Sequence, residues 1–226
     1  MVYEQIITII IITLIIVLVW GIFKRLFKLM FYAGIIIFLL LAANTYFIYQ
    51  DFKDFRENFA VSEKKVILKD GDVILTGLVL NEDTGLMADK QLNDYSSYLR
   101  NNDYESILGD SYKLMVFDVD IISKLDAEIE LGDKTITSDE AIVMLKSESN
   151  PEMKAAVFSV ILADEILSSR NPLFFFSGLK EGNIMIYPET ALFKTIKLIP
   201  LSLIENVGKK IFEKGKEKAK SFVVEE

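Results

Sequence analysis

Residues 6–50 read IITIIIITLIIVLVWGIFKRLFKLMFYAGIIIFLLLAANTYFIYQ, and this stretch decides where the chain lives. Two uncharged apolar runs, residues 6–23 and 29–50, are separated only by Lys24-Arg25-Leu26-Phe27-Lys28. At about 1.5 Å per helical residue the runs reach roughly 27 and 33 Å, against a hydrocarbon core of roughly 30 Å. Each is therefore long enough to cross a bilayer with its backbone hydrogen bonds satisfied internally. The alternative, a pair of core helices in a soluble protein, fits poorly because such helices rarely run this far without a charge. Trp20 and Phe23 close the first run and Tyr46 and Tyr49 the second, the headgroup level preferred by amphipathic rings.

A removable signal peptide has a different pattern. Lys24, Arg25 and Lys28 precede an apolar stretch ending in Leu41-Ala42-Ala43, which is similar to an n-region, an h-region and a cleavage site. The first run, however, has no basic n-region, and the second continues through Tyr46-Phe47-Ile48. The expectation is a retained two-helix transmembrane hairpin over residues 1–50. Basic residues near the spans set its orientation, and they divide. The linker holds three bases and no acid, which places it in the cytoplasm and both termini outside. Lys53, Arg56, Lys64, Lys65 and Lys69 after the second span pull the other way. The expected soluble part is extracytoplasmic.

The chain's net charge of −8 conceals three regions. Residues 1–50 have three bases and one acid, residues 51–190 have 14 and 27, and residues 191–226 have eight and five. The middle is an acidic domain with apolar segments throughout, sized for one core. Such a surface disfavours nucleic acid, whose phosphates need a basic patch. There is no cysteine and no histidine. Disulfides, thiol chemistry, a Ser-His-Asp triad and His-based metal sites are all excluded within the chain.

After the spans, residues 51–60 predict a juxtamembrane helix with Phe52, Phe55 and Phe59 at helical spacing. Residues 65–69 and 72–80 predict a strand pair around Asp70-Gly71, in a type I′ turn. Residues 88–108 read as helix, with a break at Asn101-Asn102, and residues 112–122 as strand. Residues 126–137 predict another strand and a turn at Gly132-Asp133. Thr137 and Glu140 form the pattern of a capping box, and Asn150-Pro151 and Asn171-Pro172 each announce a helix, over residues 151–168 and 172–179. Residues 183–187 are a short strand closed by Pro188. Residues 191–226 carry Leu192, Ile196, Ile199, Leu203, Val207 and Ile211 at steps of three and four, an amphipathic helix restarted at Pro200. It packs on the acidic domain or lies on the membrane surface, where Lys209, Lys210, Lys214, Lys216, Lys218 and Lys220 would meet anionic lipid.

One segment carries the pattern of a catalytic motif. Leu114-Met115-Val116-Phe117-Asp118-Val119-Asp120 is an apolar strand ending in Asp-x-Asp, and a two-residue period sets both carboxylates on one face, where they can share a magnesium ion. This resembles the first motif of the haloacid dehalogenase-like phosphatases, and the resemblance implies Asp118 as nucleophile. It covers residues 114–120 alone: Ile121-Ile122 stand where those enzymes continue with Gly and then Thr or Val. Solvent-facing strand carboxylates are the simpler account. Asp164-Glu165 and Glu128/Glu130 offer further carboxylate pairs of the kind a glycosidase uses, at spacings that an acidic chain produces by chance.

The combined expectation is an α+β fold: a transmembrane hairpin, one acidic domain over residues 51–190 and a basic helical segment. Its function is interaction at a membrane surface, with the lipid bilayer and a protein partner or second copy as ligands. The alternative is a membrane-tethered, metal-dependent hydrolase. A transporter is disfavoured, because neither span contains an ionisable residue.

Overall fold

A computed structural model describes residues 2–59, 61–81, 84–125, 128–132, 134–147, 150–166, 172–200 and 202–203. Contacts divide the chain into Met1–Phe47 and Ile48–Glu226. The first element, α1 (Val2–Asn58), is a single helix of 57 residues. The two predicted spans lie on it end to end, and no hairpin is present. Residues 24–28 contain neither glycine nor proline, and straight-chain Lys, Arg and Leu continue a helix readily, so nothing local interrupts the hydrogen-bond ladder. Its most apolar stretch has a mean hydropathy of 2.4 with none of it buried. The helix is long and apolar enough to cross a membrane, a description that an N-terminal signal sequence also meets.

From Ile48 onward the chain builds a mixed sheet. β1 (Lys64–Asp70) and β2 (Val73–Leu80) form a hairpin, and β3 (Thr84–Leu86) adds to the outer edge of β2. Asp70 pairs with Val73, which leaves Gly71 and Asp72 as a two-residue loop. Gly71 has φ 58° and Asp72 is not among the positive-φ residues, so the φ values match a type II′ turn rather than the expected type I′. β4 (Lys113–Asp118) lies parallel to β1, and β7 (Ile184–Tyr187) antiparallel to β4, giving the order β3-β2-β1-β4-β7. Between them, β5 (Ile129–Leu131) and β6 (Lys134–Ile136) make a separate two-stranded ribbon.

The runs Val66-Ile67-Leu68 and Leu114-Met115-Val116-Phe117 are almost wholly buried because β1 and β4 are central and covered on both faces. Alternation splits their side chains. Ile67, Leu114 and Val116 meet Leu92, Tyr95 and Leu99 of α2 (Asp89–Arg100) and Ile107 of α3 (Tyr104–Leu108). Asn102, with φ 56°, marks the break between those helices, as the paired asparagines predict. Lys65 secures this layer by donating from Nζ to the carbonyls of Ile107 and Leu108, at 2.9 and 3.1 Å, and to the Tyr95 hydroxyl at 2.9 Å.

Val66, Leu68, Met115 and Phe117 face the larger core. It is filled by α4 (Ser138–Lys146), α5 (Pro151–Val160), a π-helical continuation (Ile161–Ile166), α6 (Pro172–Glu181) and α7 (Ala191–Leu198). Phe117 and Phe158 meet edge to face with centroids 6.0 Å apart. Both halves of the capping box form at Thr137 and Glu140, and Asn150 caps α5 with Pro151 at its first position. Asn171 lies outside the described residues, although α6 begins at Pro172 as expected. In α7 the buried residue is Phe193, one step from the predicted Leu192, while Ile196 packs on the core from its predicted place.

Candidate functional site

The strand predicted over residues 112–122 ends at Asp118, four residues early. Asp118 is the last residue of β4, and Val119–Lys124 is a 3-10 helix for which Asp118 is the N-cap, accepting the Asp120 amide at 3.2 Å through Oδ1. The hydrogen-bonding appetite of a carboxylate at a chain turn outweighs the β-branched character of Val119, Ile121 and Ile122. Those three side chains are buried, and Asp120 is exposed on the first turn. The two carboxylates are consequently not related by strand alternation.

Asp118 instead belongs to a charged cluster at the carboxyl ends of the parallel strands. Lys69, its register partner on β1, places Nζ 2.6 Å from Oδ2. Lys146, at the end of α4, pairs with Asp70 at 2.8 Å. The Lys146 pKa is raised first by the hydrogen bond to Asp70, with the charges of Asp70, Asp120 and Asp118 adding to it and slight burial opposing. Magnesium fits this arrangement poorly. One Asp118 oxygen holds an ammonium and the other a backbone amide, and among the described residues no three acids gather to hold a metal. Glu128 and Glu130 are exposed beside and on the β5–β6 ribbon. The side chains of Asp164 and Glu165 and the six lysines from Lys209 to Lys220 lie outside the described residues.

Sequence reasoning missed a second constellation, formed where the last turns of α1 meet the sheet and α7. Asp54 accepts the Tyr112 hydroxyl at 2.6 Å, and Asp51 accepts the Leu192 amide at 3.1 Å. Phe55 stacks on Phe59, centroids 4.3 Å apart, and meets Phe193 edge to face at 5.6 Å. Lys64 donates from Nζ to the Phe59 and Ser62 carbonyls, at 2.5 and 2.6 Å, just beyond the end of α1. The Tyr112 amide donates to the Glu63 main-chain carbonyl, and the Glu63 carboxylate takes the Ser111 hydroxyl.

Burial raises the Tyr112 pKa well above the phenolic range, reinforced by the hydrogen bond and charge of Asp54 and by the charge of Asp51. Burial lowers the pKa of Lys113 against the pull of the same two aspartates, and lowers that of Lys64. Phe55 and Phe59 were visible as a helical apolar pair. Nothing in the local sequence marks the bonds made by Asp51 and Asp54. Comparison with protein-family models, curated proteins and solved structures finds no significant match to this chain.

Proposed function

We propose that this protein is a membrane-anchored, non-enzymatic interaction module, with α1 as the anchor and the α+β domain as the part that scaffolds, senses or assembles at the membrane surface. The observation that supports the reading is the unburied apolar surface of α1, continuous from Ile10 to Leu41 apart from its three bases, Gly21 and small or aromatic residues. Burying one large aliphatic side chain is worth about 1.5–3 kcal/mol, so this row of residues needs an apolar solvent. A lipid bilayer supplies one.

A straight helix of this length extends about 85 Å, nearly three times the hydrocarbon thickness. Lys24, Arg25 and Lys28 sit between two runs that each match that thickness. In this proposal each run crosses separately and the bilayer imposes the reversal at residues 24–28, with the bases on the cytoplasmic face and the domain outside. The folded domain offers its surface to a protein partner or a second copy of the chain. The competing hydrolase reading rests on Asp118 standing at the carboxyl end of a parallel strand, where α/β sheets collect ligands. The ammonium of Lys69 on its carboxylate weighs against that reading.

The test uses the full chain, which has no native cysteine. Single cysteines replacing Ser62, Ser147 and Ser221 are expected to react with an impermeant maleimide in intact cells, with the protein resisting alkaline carbonate extraction from membranes. Labelling only after lysis reverses the orientation. Recovery in the soluble fraction defeats the anchoring itself.

A further inference from the structure

α7 is a helix of eight residues, too short to persist without support. Its own N-cap residue, Thr190, has the extended backbone of a cap (φ −84°, ψ 171°) but makes no side-chain cap bond. The Leu192 amide is taken by Asp51, 141 residues earlier in the chain, on the last turns of α1. One turn further along α1, Phe55 supplies an aromatic contact to Phe193, which is 4% exposed and is the residue that inserts α7 into the core. Those turns of α1 are themselves seated by Asp54 on Tyr112 and by Lys64 at the helix end.

We infer that α1 caps α7 as a conditional support, so that α7 is ordered only while the last turns of α1 are seated on the domain. The device couples the last turns of α1 to α7. A displacement of α1 that lifts Asp51 and Phe55 uncaps and loosens α7. This coupling stands whether or not the membrane reading is correct, because every residue it uses belongs to the unit that begins at Ile48.

Amide hydrogen exchange on the full chain in mild detergent tests it. Asp51→Ala is expected to accelerate exchange across residues 191–199 about fivefold, the size of one side-chain cap, while β1 and β4 keep their protection. Asp51→Asn retains an acceptor oxygen and is expected to hold α7 within about twofold of the parent. Adding Thr190→Asp to Asp51→Ala gives α7 a cap of its own and restores protection. The decisive variant is Asp54→Ala, whose side chain accepts from Tyr112 and Asn58 rather than from α7: it accelerates exchange in α7 in the parent background and not alongside Thr190→Asp. Unchanged α7 protection in Asp51→Ala, or in Asp54→Ala, overturns the inference. So does acceleration spread evenly over the domain. If Asp51→Ala does not fold, Asp54→Ala with and without Thr190→Asp decides the matter alone.

Discussion

Lys69 and Asp118 are register partners on the parallel strands β1 and β4, and their side chains close that pairing with an ion pair of 2.6 Å, about one-quarter exposed on each side. Asp118 therefore has two structural duties, the pair and the cap on the 3-10 helix. Asp118→Ala loses both and is expected to lower stability by about 1–2 kcal/mol; Asp118→Asn keeps a cap oxygen and costs less. Asp120→Asn is expected to stay within about 0.5 kcal/mol, as exposed substitutions do. Urea denaturation measures all three. A rise in melting temperature with millimolar magnesium, abolished in Asp118→Asn, would bring the hydrolase reading to the front.

Gly178 lies in α6 where the helix crosses β7 and the 3-10 helix. A Cβ there would stand 2.6 Å from Cδ1 of Ile184 and 2.8 Å from Cδ1 of Ile121. Alanine is the better helix former, yet Gly178→Ala is expected to destabilise by about 1 kcal/mol, because the buried Ile184 and Ile121 side chains must shift to admit the Cβ. Combining it with Ile184→Val is expected to recover part of the loss, as thermal denaturation of both variants will show.

Thr76 is 1% exposed in β2, and its Oγ1 has no hydrogen-bond partner among the described residues. An unpaired buried hydroxyl costs on the order of 1–3 kcal/mol. Thr76→Val keeps the shape and removes the oxygen, so it is expected to raise stability by about 1 kcal/mol. A loss of stability in chemical denaturation would mean that the hydroxyl is satisfied in solution.

Tyr112 gives the domain an alkaline limit. Its folded pKa is raised by burial and then by Asp54, so the native state holds the phenolic proton more tightly than the unfolded chain. The corresponding stability is fully present below the unfolded value of about 10 and is lost as pH rises through the higher native value. Burial of Lys113 acts in the opposite sense over its own range. The difference between the parent and Tyr112→Phe isolates the tyrosine: the phenylalanine variant is expected to lose less stability between about pH 9.5 and 11.5. Identical pH profiles would show that the Asp54 contact is not kept in solution.

Local signals were legible and distant ones were not. The capping box at Thr137, the cap at Asn150 and the break at Asn102 each depend on residues a few positions apart, so composition and spacing suffice to see them. The hairpin of β1 and β2 was visible for the same reason, although its turn type depends on which loop residue takes positive φ. The end of β4 was obscured because Val119-Asp120-Ile121-Ile122 keeps strand-like composition, while Asp118 uses its carboxylate to start a helical turn. The parallel pairing of β1 with β4 and the bond from Asp51 to α7 join residues dozens of positions apart. Their patterns exist only after the chain has folded.

The five-stranded sheet ends in β3, three residues long, and β7, four residues long. Brief outer strands expose few open amides and carbonyls, so each presents a poor template for another chain. If the chain is held at a membrane surface, as proposed, the consequence is colloidal. Neighbours crowded in two dimensions collide at their flanks far more often than molecules in bulk solution. In that setting, short margins would let copies stand side by side without their sheets fusing into fibrils.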